Sequence, residues 1–210
     1  MARGRFITLE GGEGAGKSTQ VKRLAAKLEA TGYRVVVTRE PGGAPGAEAI
    51  RELLVKGDTG RWAPRTEALL HFAAREEHLA RTIRPALDRG DWVISDRFVD
   101  STMAYQGVAQ GLGAEFITRL RDLVVRDDMP ALTLILDLPP ELGLARAAGR
   151  TNDGEDRYER MKLEFHQILR QAFLDIAKSE PGRCAVIDAA QDEDRVAEAI
   201  WAETKIRLTA

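Results

Sequence analysis

The chain has 210 residues, 44% hydrophobic and 30% charged, the composition of an ordinary folded domain with one sizeable core. Lys and Arg number 31 against 33 Asp and Glu, a net charge of −2 that excludes bulk electrostatic attraction to nucleic acid or membrane. The single cysteine, Cys184, excludes an internal disulfide and a cysteine-ligated zinc site, and its apolar neighbours predict a buried strand position. No apolar run approaches the roughly 18 residues of a membrane span and no leader pattern opens the chain, so we expect a cytoplasmic protein.

Five short apolar runs, continuous rather than alternating, predict strands that are covered on both faces. They are Arg5–Glu10, Arg34–Thr38, Trp92–Asp96, Leu132–Leu138 and Cys184–Asp188. Between them, apolar residues recur at helical spacing over residues 21–28, 63–89, 116–124, 142–148, 158–176 and 196–200. Alternating strands and helices along the whole length predict one α/β domain over residues 1–210, with a doubly wound, mainly parallel five-stranded sheet and flanking helices.

A glycine-rich loop with the pattern G-x-x-x-x-G-K-[ST] lies directly between the first predicted strand and the first predicted helix. It consists of Gly11, Gly12, Glu13, Gly14, Ala15, Gly16, Lys17 and Ser18, with Thr19 following. Backbone N–H groups of such a loop cradle phosphate oxygens, and the positive end of the helix faces the same charge. Lys17 is expected to reach the β- and γ-phosphates, and the Ser18 hydroxyl to join the shell of a Mg²⁺ ion. The chain is therefore predicted to bind a nucleoside triphosphate.

Two polar stretches interrupt the alternation and are predicted to be surface loops. Glu40–Gly46 follows the second strand and contains two prolines and three glycines, so it is not expected to continue as strand or helix. Arg150–Asp156 separates two helical patterns and is a candidate lid. The Glu40 loop follows the carboxyl end of its strand, where ligands bind in a doubly wound sheet.

An aspartate and several arginines near the strand ends suggest a second anionic substrate. Asp96 ends the third strand, where its carboxylate can coordinate Mg²⁺ or accept a proton; alternatively, it caps the next helix and pairs with Arg97. Arg97, Arg51 and Arg75 offer planar guanidinium groups suited to phosphate. Phe72 and Arg75 share one helical face, which suits stacking on a base and bonding to its edge. The same spacing places Phe72 in a core stripe, and Arg51 also fits a solvated helix position.

Four stretches together resemble the thymidylate kinase family, and the guanine-reading tetrapeptide N-K-x-D of GTP switches is absent. The stretches are residues 6–11, which lead into the glycine-rich loop, 38–43, 72–75 and 96–107. The resemblance extends from the first strand to the last. It implies a three-layer P-loop nucleoside monophosphate kinase fold, transfer of phosphoryl from ATP to dTMP with Mg²⁺, and a homodimer. The product dTDP would feed dTTP synthesis for DNA replication.

The resemblance also implies roles for individual residues. The implied catalytic residues are Lys17, Asp96, Arg97 and Arg150, and the implied metal site is Ser18 with Asp96. The implied dTMP-binding residues, mostly in an acceptor-binding region at 39–75, are Glu40, Pro41, Arg51, Phe72, Arg75, Arg97, Ser101, Tyr105 and Gln106. Phe72 would stack on thymine, Arg75 would bond its edge, and Tyr105 would crowd the place of a ribose 2′-hydroxyl. Ala44 stands where the family often has threonine, so a hydroxyl contact in that loop is lost.

The positive charge for phosphoryl transfer must come from outside the glycine-rich loop, whose variable positions contain no arginine. Arg146, Arg150 and Arg157 flank the second irregular loop, an arrangement that resembles the bacterial type of the family. There, lid arginines over about residues 146–158 meet ATP. The alternative for Arg146 and Arg157 is an ion pair with a nearby acidic residue. The segment 189–192 is a weaker candidate for contact with adenine.

Some residues near these motifs have other expected roles, and other functions fit part of the sequence. Asp137 and the three histidines (His71, His78 and His166) are expected to be structural rather than catalytic. The helix bearing Ile83 and the segment 116–124 are candidates for an apolar homodimer face. A kinase for another nucleoside monophosphate or a deoxynucleoside shares every phosphate-binding part. A non-catalytic nucleotide switch or an inactive binding module leaves the arginine set unexplained.

Overall fold

The computed structural model describes residues 3–148 and 156–209, and within them the five predicted strands form one parallel sheet. The strands are Phe6–Glu10 (β1), Val35–Arg39 (β2), Trp92–Asp96 (β3), Leu132–Asp137 (β4) and Cys184–Asp188 (β5). Their order across the sheet is β2-β3-β1-β4-β5, so β1 lies between β3 and β4. Because all the paired strands are parallel, their carboxyl ends share one edge, and the prediction of an α/β fold is confirmed.

Helices cover both faces of the sheet and give three layers. The α-helices are Lys17–Ala30 (α1), Pro45–Val55 (α2), Pro64–His78 (α3), Arg84–Asp88 (α4), Val99–Thr102 (α5), Ala114–Val124 (α6), Pro140–Ala148 (α7), Leu163–Ser179 (α8) and Glu193–Thr204 (α9). The π-helical segments Leu79–Ile83, Met103–Ala109 and Lys205–Thr209 continue α3, α5 and α9. Residues of β1 alternate between the faces: Leu9 packs with Leu24 of α1 and Ile200 of α9. Phe6 packs on the other face with Ile117 of α6.

Helix α2 is the main element that the sequence does not predict, because Glu40–Gly46 is interpreted as a loop. That interpretation is wrong for Pro45 and Gly46, which form the first turn of α2. Proline lacks the backbone N–H that a first helical turn leaves unpaired, and its fixed φ suits this position. The residue type that interrupts a helix interior therefore begins this helix.

Two predicted helices form with different boundaries. The helix over residues 63–89 passes through the π-helical segment before α4, at whose start Pro85 has no N–H to donate to a regular turn. The helix predicted from Tyr158 begins instead at Leu163, because Lys162 is extended and residues 157–160 form turns. The Tyr158 ring contacts Tyr105, with 5.3 Å between the ring centroids.

Burial tests two further expectations. Cys184 is buried in β5, as predicted. Ile83 is buried in the core and presents no apolar surface to a second chain, whereas Leu123 of α6 is 66% exposed.

No helix among the described residues has the length and apolar composition needed to cross a membrane. Most of the predicted lid, including Arg150, lies outside the described residues.

Candidate active site

Most of the predicted site residues meet around one cavity of about 290 Å³ at the carboxyl edge of the sheet. β1 leads into the glycine-rich loop at one end, and β2 and β3 deliver the acceptor-side residues. The predicted residues that line the cavity are Glu13, Gly14, Ala15, Gly16, Lys17, Ser18, Glu40, Pro41, Arg51, Arg75, Asp96, Arg97, Ser101, Tyr105 and Gln106. Residues separated by up to 93 positions in the sequence thus share one surface, as parallel strands require.

The glycine-rich loop depends on a close backbone approach that side chains would block. Gly14 has φ +69°, and a Cβ placed on it would lie 1.9 Å from the carbonyl oxygen of Gly143 in α7. Gly16, also left-handed at φ 86°, precedes α1. The Lys17 ammonium donates to the carbonyl oxygens of Gly11 at 3.1 Å and Gly12 at 2.7 Å. Burial and the positive charge of Arg97 lower the pKa of Lys17 to about 8.

Ser18 and Asp96 meet at the start of α1, where the sequence predicts a metal site. The Ser18 hydroxyl donates to Asp96 Oδ2 at 2.6 Å. A hydroxyl and a carboxylate oxygen side by side are hard ligands of the kind Mg²⁺ prefers, so the residues present fit this ion. The helix-capping alternative for Asp96 is wrong: Phe98 occupies the cap position of α5, and the ion pair of Arg97 is made with Glu13.

Arg97 is held in a strained conformation at the centre of the cavity wall. Its φ of 70° lies in the left-handed region, which is costly for a non-glycine residue and is found mainly where function requires it. Its guanidinium donates to the Gly11 carbonyl, to Ser101 Oγ and to Glu13 Oε1 at 2.9, 3.1 and 2.9 Å. The Tyr105 hydroxyl also donates to Glu13 Oε1, at 2.6 Å. Arg97 is thereby fixed to the phosphate loop.

Glu13 brings a carboxylate into a loop that binds anions. Burial alone would raise its pKa, but the positive charges of Arg97 and Lys17 outweigh burial and lower the pKa to about 2. Glu10, at the end of β1, shows the opposite balance. Burial and the nearby charge of Asp100 raise its pKa to about 8, although it accepts bonds from Ser101 Oγ and the Phe98 N–H. The two carboxylates therefore differ because the charges of Arg97 and Lys17 outweigh burial at Glu13, whereas burial and the charge of Asp100 outweigh Arg97 at Glu10.

A buried network holds Arg75 against the Glu40 loop. Arg75 Nε donates to Glu40 Oε2 at 2.8 Å, and its Nη2 donates to the Thr102 hydroxyl at 3.0 Å. His78 Nδ1 lies 3.0 Å from Glu40 Oε1, and its Nε2 lies 2.7 Å from Thr38 Oγ1. Since a carboxylate accepts, Nδ1–H donates to Glu40, while Nε2 and the Thr38 hydroxyl share the second hydrogen bond. Arg75 Nη1 is buried with no hydrogen-bond partner among the described residues, so a donor is left for a ligand.

Phe72 lies beside this network rather than in the cavity wall. It is 2% exposed and packs with Val93 and Ile117 in the core. The Arg75 guanidinium lies 4.7 Å from its ring centroid and 5.2 Å from that of Phe98, which does line the cavity. The core position expected from periodicity is confirmed, and stacking of Phe72 on thymine stays a prediction.

The arginines flanking the second loop have different surroundings. Arg146 donates to the Ala189 carbonyl at 3.1 Å and borders a second cavity of about 540 Å³, next to Gly14, Thr19 and residues 191–193. This cavity adjoins the phosphate loop and includes part of the segment predicted near adenine.

Arg157 is not brought to the phosphate loop. Its guanidinium donates to the carbonyls of Leu54, Asp58 and Thr59 at 3.1, 2.9 and 2.9 Å, and Nη2 lies 2.5 Å from Glu67 Oε2. The ion-pair alternative describes this arrangement, and ATP contact by Arg157 stays a prediction.

Several residues of the site are missing from the sequence prediction. Phe98, Thr102, His71, Tyr158 and Glu159 line the cavity. Phe98 and Thr102 lie within residues 96–107, the stretch that resembles the family, so their position next to predicted site residues could have indicated that they line the cavity. Tyr158 had none, because the sequence places it inside a helix.

Of the residues expected to be structural, Asp137 lies away from the cavity and His71 lies in its wall. Asp137 accepts two bonds from Arg170, at 2.7 and 2.8 Å, and lies outside the cavity lining. His71 lines the cavity, 3.1 Å from the Tyr158 hydroxyl. Burial and the positive charge of Arg75 lower the pKa of His71 to about 3, so the imidazole is neutral near neutral pH.

Comparison with known proteins agrees with this geometry. The family model described as Thymidylate kinase matches residues 9–200. The chain is 56% identical to a thymidylate kinase of Caulobacter vibrioides over 200 residues, 95% of each chain. It is 51% identical to one of Bradyrhizobium diazoefficiens over 207 residues, 98% of this chain and 91% of the relative. A thymidylate kinase crystal structure from Ehrlichia chaffeensis superposes with a TM-score of 0.76 at 37% identity, covering 96% of this chain and 99% of the other. The chain therefore belongs to the thymidylate kinase family, the transferases that phosphorylate dTMP to dTDP.

Proposed function

We propose that this chain transfers the γ-phosphoryl group of ATP to dTMP in one continuous cavity, with the residues described above in the donor and acceptor roles. The observation that carries the proposal is the cavity itself. The phosphate loop with Lys17, which we assign to the donor end, and Arg75 with Gln106, which we assign to the acceptor end, line the same cavity. Arg97 also lines it and is bonded to the loop. An end-to-end arrangement of two nucleotides needs this geometry, because phosphoryl transfer depends chiefly on positioning and charge stabilisation.

On the donor side, the backbone of Gly11–Thr19 holds the ATP phosphates and Lys17 reaches the β- and γ-phosphates. Ser18 and Asp96 would hold Mg²⁺. When bound, this ion neutralises charge on the phosphates. Arg146 is in reach of ATP from the second cavity. The loop positions Gly12 to Ala15 contain no arginine, so Arg150, outside the described residues, is proposed to supply the remaining cation.

On the acceptor side, Arg97 and Arg51 hold the dTMP phosphate. Arg51 Nη1 donates to the Pro41 carbonyl at 2.7 Å, which keeps its guanidinium at the cavity wall next to the Glu40–Pro41 loop. The base end is built from buried groups: Arg75, Gln106 and, beneath them, Phe72. Ser101 and Tyr105 lie between the two ends and contact the deoxyribose, with residues 39–75 as the acceptor-binding region.

The test is a coupled assay of ADP release with and without an acceptor. We expect release to depend on dTMP, and kcat/KM to be higher for dTMP than for dUMP, dCMP, dGMP or thymidine. A clear preference for another acceptor would assign the chain to a different substrate. Slow ADP release that no acceptor accelerates would instead favour a non-catalytic nucleotide switch.

We also propose a cytoplasmic homodimer. Helices α2, α3 and α6 pack side by side, and each keeps an exposed leucine, namely Leu53, Leu69 and Leu123. Exposed leucines on adjoining helices favour burial against a second chain. Light scattering on a size-exclusion column should give twice the 23.1 kDa chain mass, and Leu123→Glu should shift the protein toward one chain.

A further inference from the structure

We infer that Glu67 is a positioning residue that sets base specificity: it holds the Gln106 side-chain amide with its carbonyl oxygen toward the base pocket. The inference rests on the proposed dTMP site. Glu67 lies outside that site, yet it determines which hydrogen-bond donors and acceptors the site offers to a base. Glu67 is fully buried in α3 and does not line the cavity.

Glu67 is the hub of a buried polar cluster. Its Oε1 accepts bonds from Gln106 Nε2 at 2.7 Å, Gln110 Nε2 at 2.6 Å and the Tyr158 hydroxyl at 3.1 Å. Gln106 and Tyr158 line the cavity, whereas Gln110 does not. The carboxylate thus reaches two cavity-wall residues from different parts of the chain.

Glu67 Oε1 accepts this bond, so the side of Gln106 that faces Glu67 must be its NH₂ group. The opposite end of the amide, the carbonyl oxygen, is then left for the cavity that Gln106 lines. Gln106 is 1% exposed within the π-helical segment Met103–Ala109, so packing leaves its side chain little freedom. The orientation of the amide is therefore dictated by Glu67.

Arg157 is the ion-pair partner of Glu67. Its Nη2 lies 2.5 Å from Glu67 Oε2, and its guanidinium is anchored by the carbonyls of Leu54, Asp58 and Thr59. Because Arg157 lies against Oε2, the other carboxylate oxygen, Oε1, is left to accept the bonds from Gln106, Gln110 and Tyr158. This contact gives Arg157 a role that does not involve ATP.

The resulting pocket offers one donor and one acceptor to a base. Arg75 Nη1, which has no hydrogen-bond partner in the described part of the chain, is the donor, and the Gln106 carbonyl is the acceptor. Thymine and uracil present a carbonyl oxygen beside an N3–H, which complements this pair. Cytosine presents an amino group beside an unprotonated N3, so both of its groups meet the wrong partner. Unpaired buried polar groups are costly, and the pocket thereby rejects the cytosine pattern.

Glu67→Gln tests the inference because Arg157 dictates how the new amide must lie. Its oxygen faces the guanidinium, and its NH₂ faces Gln106, which then turns its own carbonyl away from the cavity. We expect the ratio of kcat/KM for dTMP to that for dCMP to fall by about 10-fold or more. The ratio of dTMP to dUMP should stay within about 2-fold, since both bases present the same edge. A merely structural role would lower all three rates together and leave both ratios unchanged.

Gln110→Leu is the matched control, because it removes a bond to the same Glu67 oxygen without touching the cavity. It should leave both ratios unchanged. Gln106→Met keeps the Glu67–Arg157 pair and should reproduce the loss of discrimination if Glu67→Gln does not fold. An unchanged dTMP-to-dCMP ratio in either folded variant overturns the inference. Wild-type protein that does not prefer dTMP would instead contradict the proposed function.

Discussion

Replacing Arg157 with methionine separates the two roles that the sequence leaves open for this arginine. Methionine keeps an unbranched chain of similar reach but has no donors. The change removes three hydrogen bonds to the carbonyls of Leu54, Asp58 and Thr59 and leaves Glu67 without its cation. Arg157 is 2% exposed and Glu67 is fully buried, so water does not replace the ion pair or the buried bond to Leu54.

The expected loss of stability follows from this burial. Breaking a buried ion pair by removing one partner costs about 3–5 kcal/mol, because the other charge stays buried and unpaired. The three carbonyls each add a smaller cost, of order 1 kcal/mol, where relaxation does not bring in water. We therefore expect Arg157→Met to lower the free energy of unfolding by about 3–5 kcal/mol or more.

Urea unfolding followed by circular dichroism measures this loss, provided that the slope with denaturant is unchanged. Arg160→Met is the matched control: Arg160 is half exposed, and its ion pair with Asp156 lies at the surface. Its loss should be below about 1 kcal/mol. Adding Glu67→Met to Arg157→Met should recover part of the stability, because it removes the unpaired carboxylate.

A loss for Arg157→Met no larger than that for Arg160→Met would refute this reasoning. If the same variant kept full stability but lost turnover with ATP, the prediction of ATP contact would be supported instead. The stability measurement and the kinetic measurement therefore distinguish a structural arginine from a substrate-binding one.

Three further changes test the donor side and its charges. Arg150→Ala should lower kcat by at least ~10²-fold with a smaller effect on the KM for dTMP. Binding of a non-hydrolysable ATP analogue near pH 8.5 should take up a proton, because phosphate restores the charge of Lys17, whose pKa is about 8. Calorimetry in buffers of different ionisation enthalpy detects the uptake, and Lys17→Met should abolish it. In the folded protein the pKa of Glu10 is raised from its ordinary value of 4.5 to about 8, so its carboxyl keeps a proton at pH values at which the unfolded chain has lost it. The free energy of unfolding should therefore fall as pH rises through this interval, by at most ~1.4 kcal/mol per pH unit. Urea midpoints measured at pH 5, 6 and 7 should decrease with pH in the wild type, and Glu10→Gln should reduce this decrease.

The parts predicted well from the sequence are those encoded by neighbouring residues. A continuous apolar run such as Trp92–Asp96 predicts a buried strand directly, and its last residue is then known to reach the carboxyl edge. The phosphate loop is contiguous, so its geometry follows from its glycines. Helix α2 was missed because Pro45 at a helix start and a proline in a loop give the same local pattern.

The parts that the sequence does not predict depend on partners far along the chain. Glu67 carries no local signal, since a glutamate in a helix is ordinarily solvated, yet it bonds Gln106 and Arg157, 39 and 90 positions away. The coupling between these residues arises only when α3, the π-helical segment and the turn before α8 are packed together. Topology, not local composition, makes that carboxylate a buried hub.

The different surroundings of Arg146 and Arg157 also depend on distant residues and are not predicted from the sequence. Both flank one polar loop, and a guanidinium with five donors satisfies phosphate oxygens and backbone carbonyls equally well. Arg146 stays exposed beside the phosphate loop because α7 ends next to it, with Gly143 packed on Gly14. Arg157 is buried because the Leu54 carbonyl, at the carboxyl end of α2, accepts a hydrogen bond from it and the Glu67 carboxylate pairs with its guanidinium. The chemistry of an arginine is thus decided by which acceptors the fold brings to it, and no spacing within the loop encodes that choice.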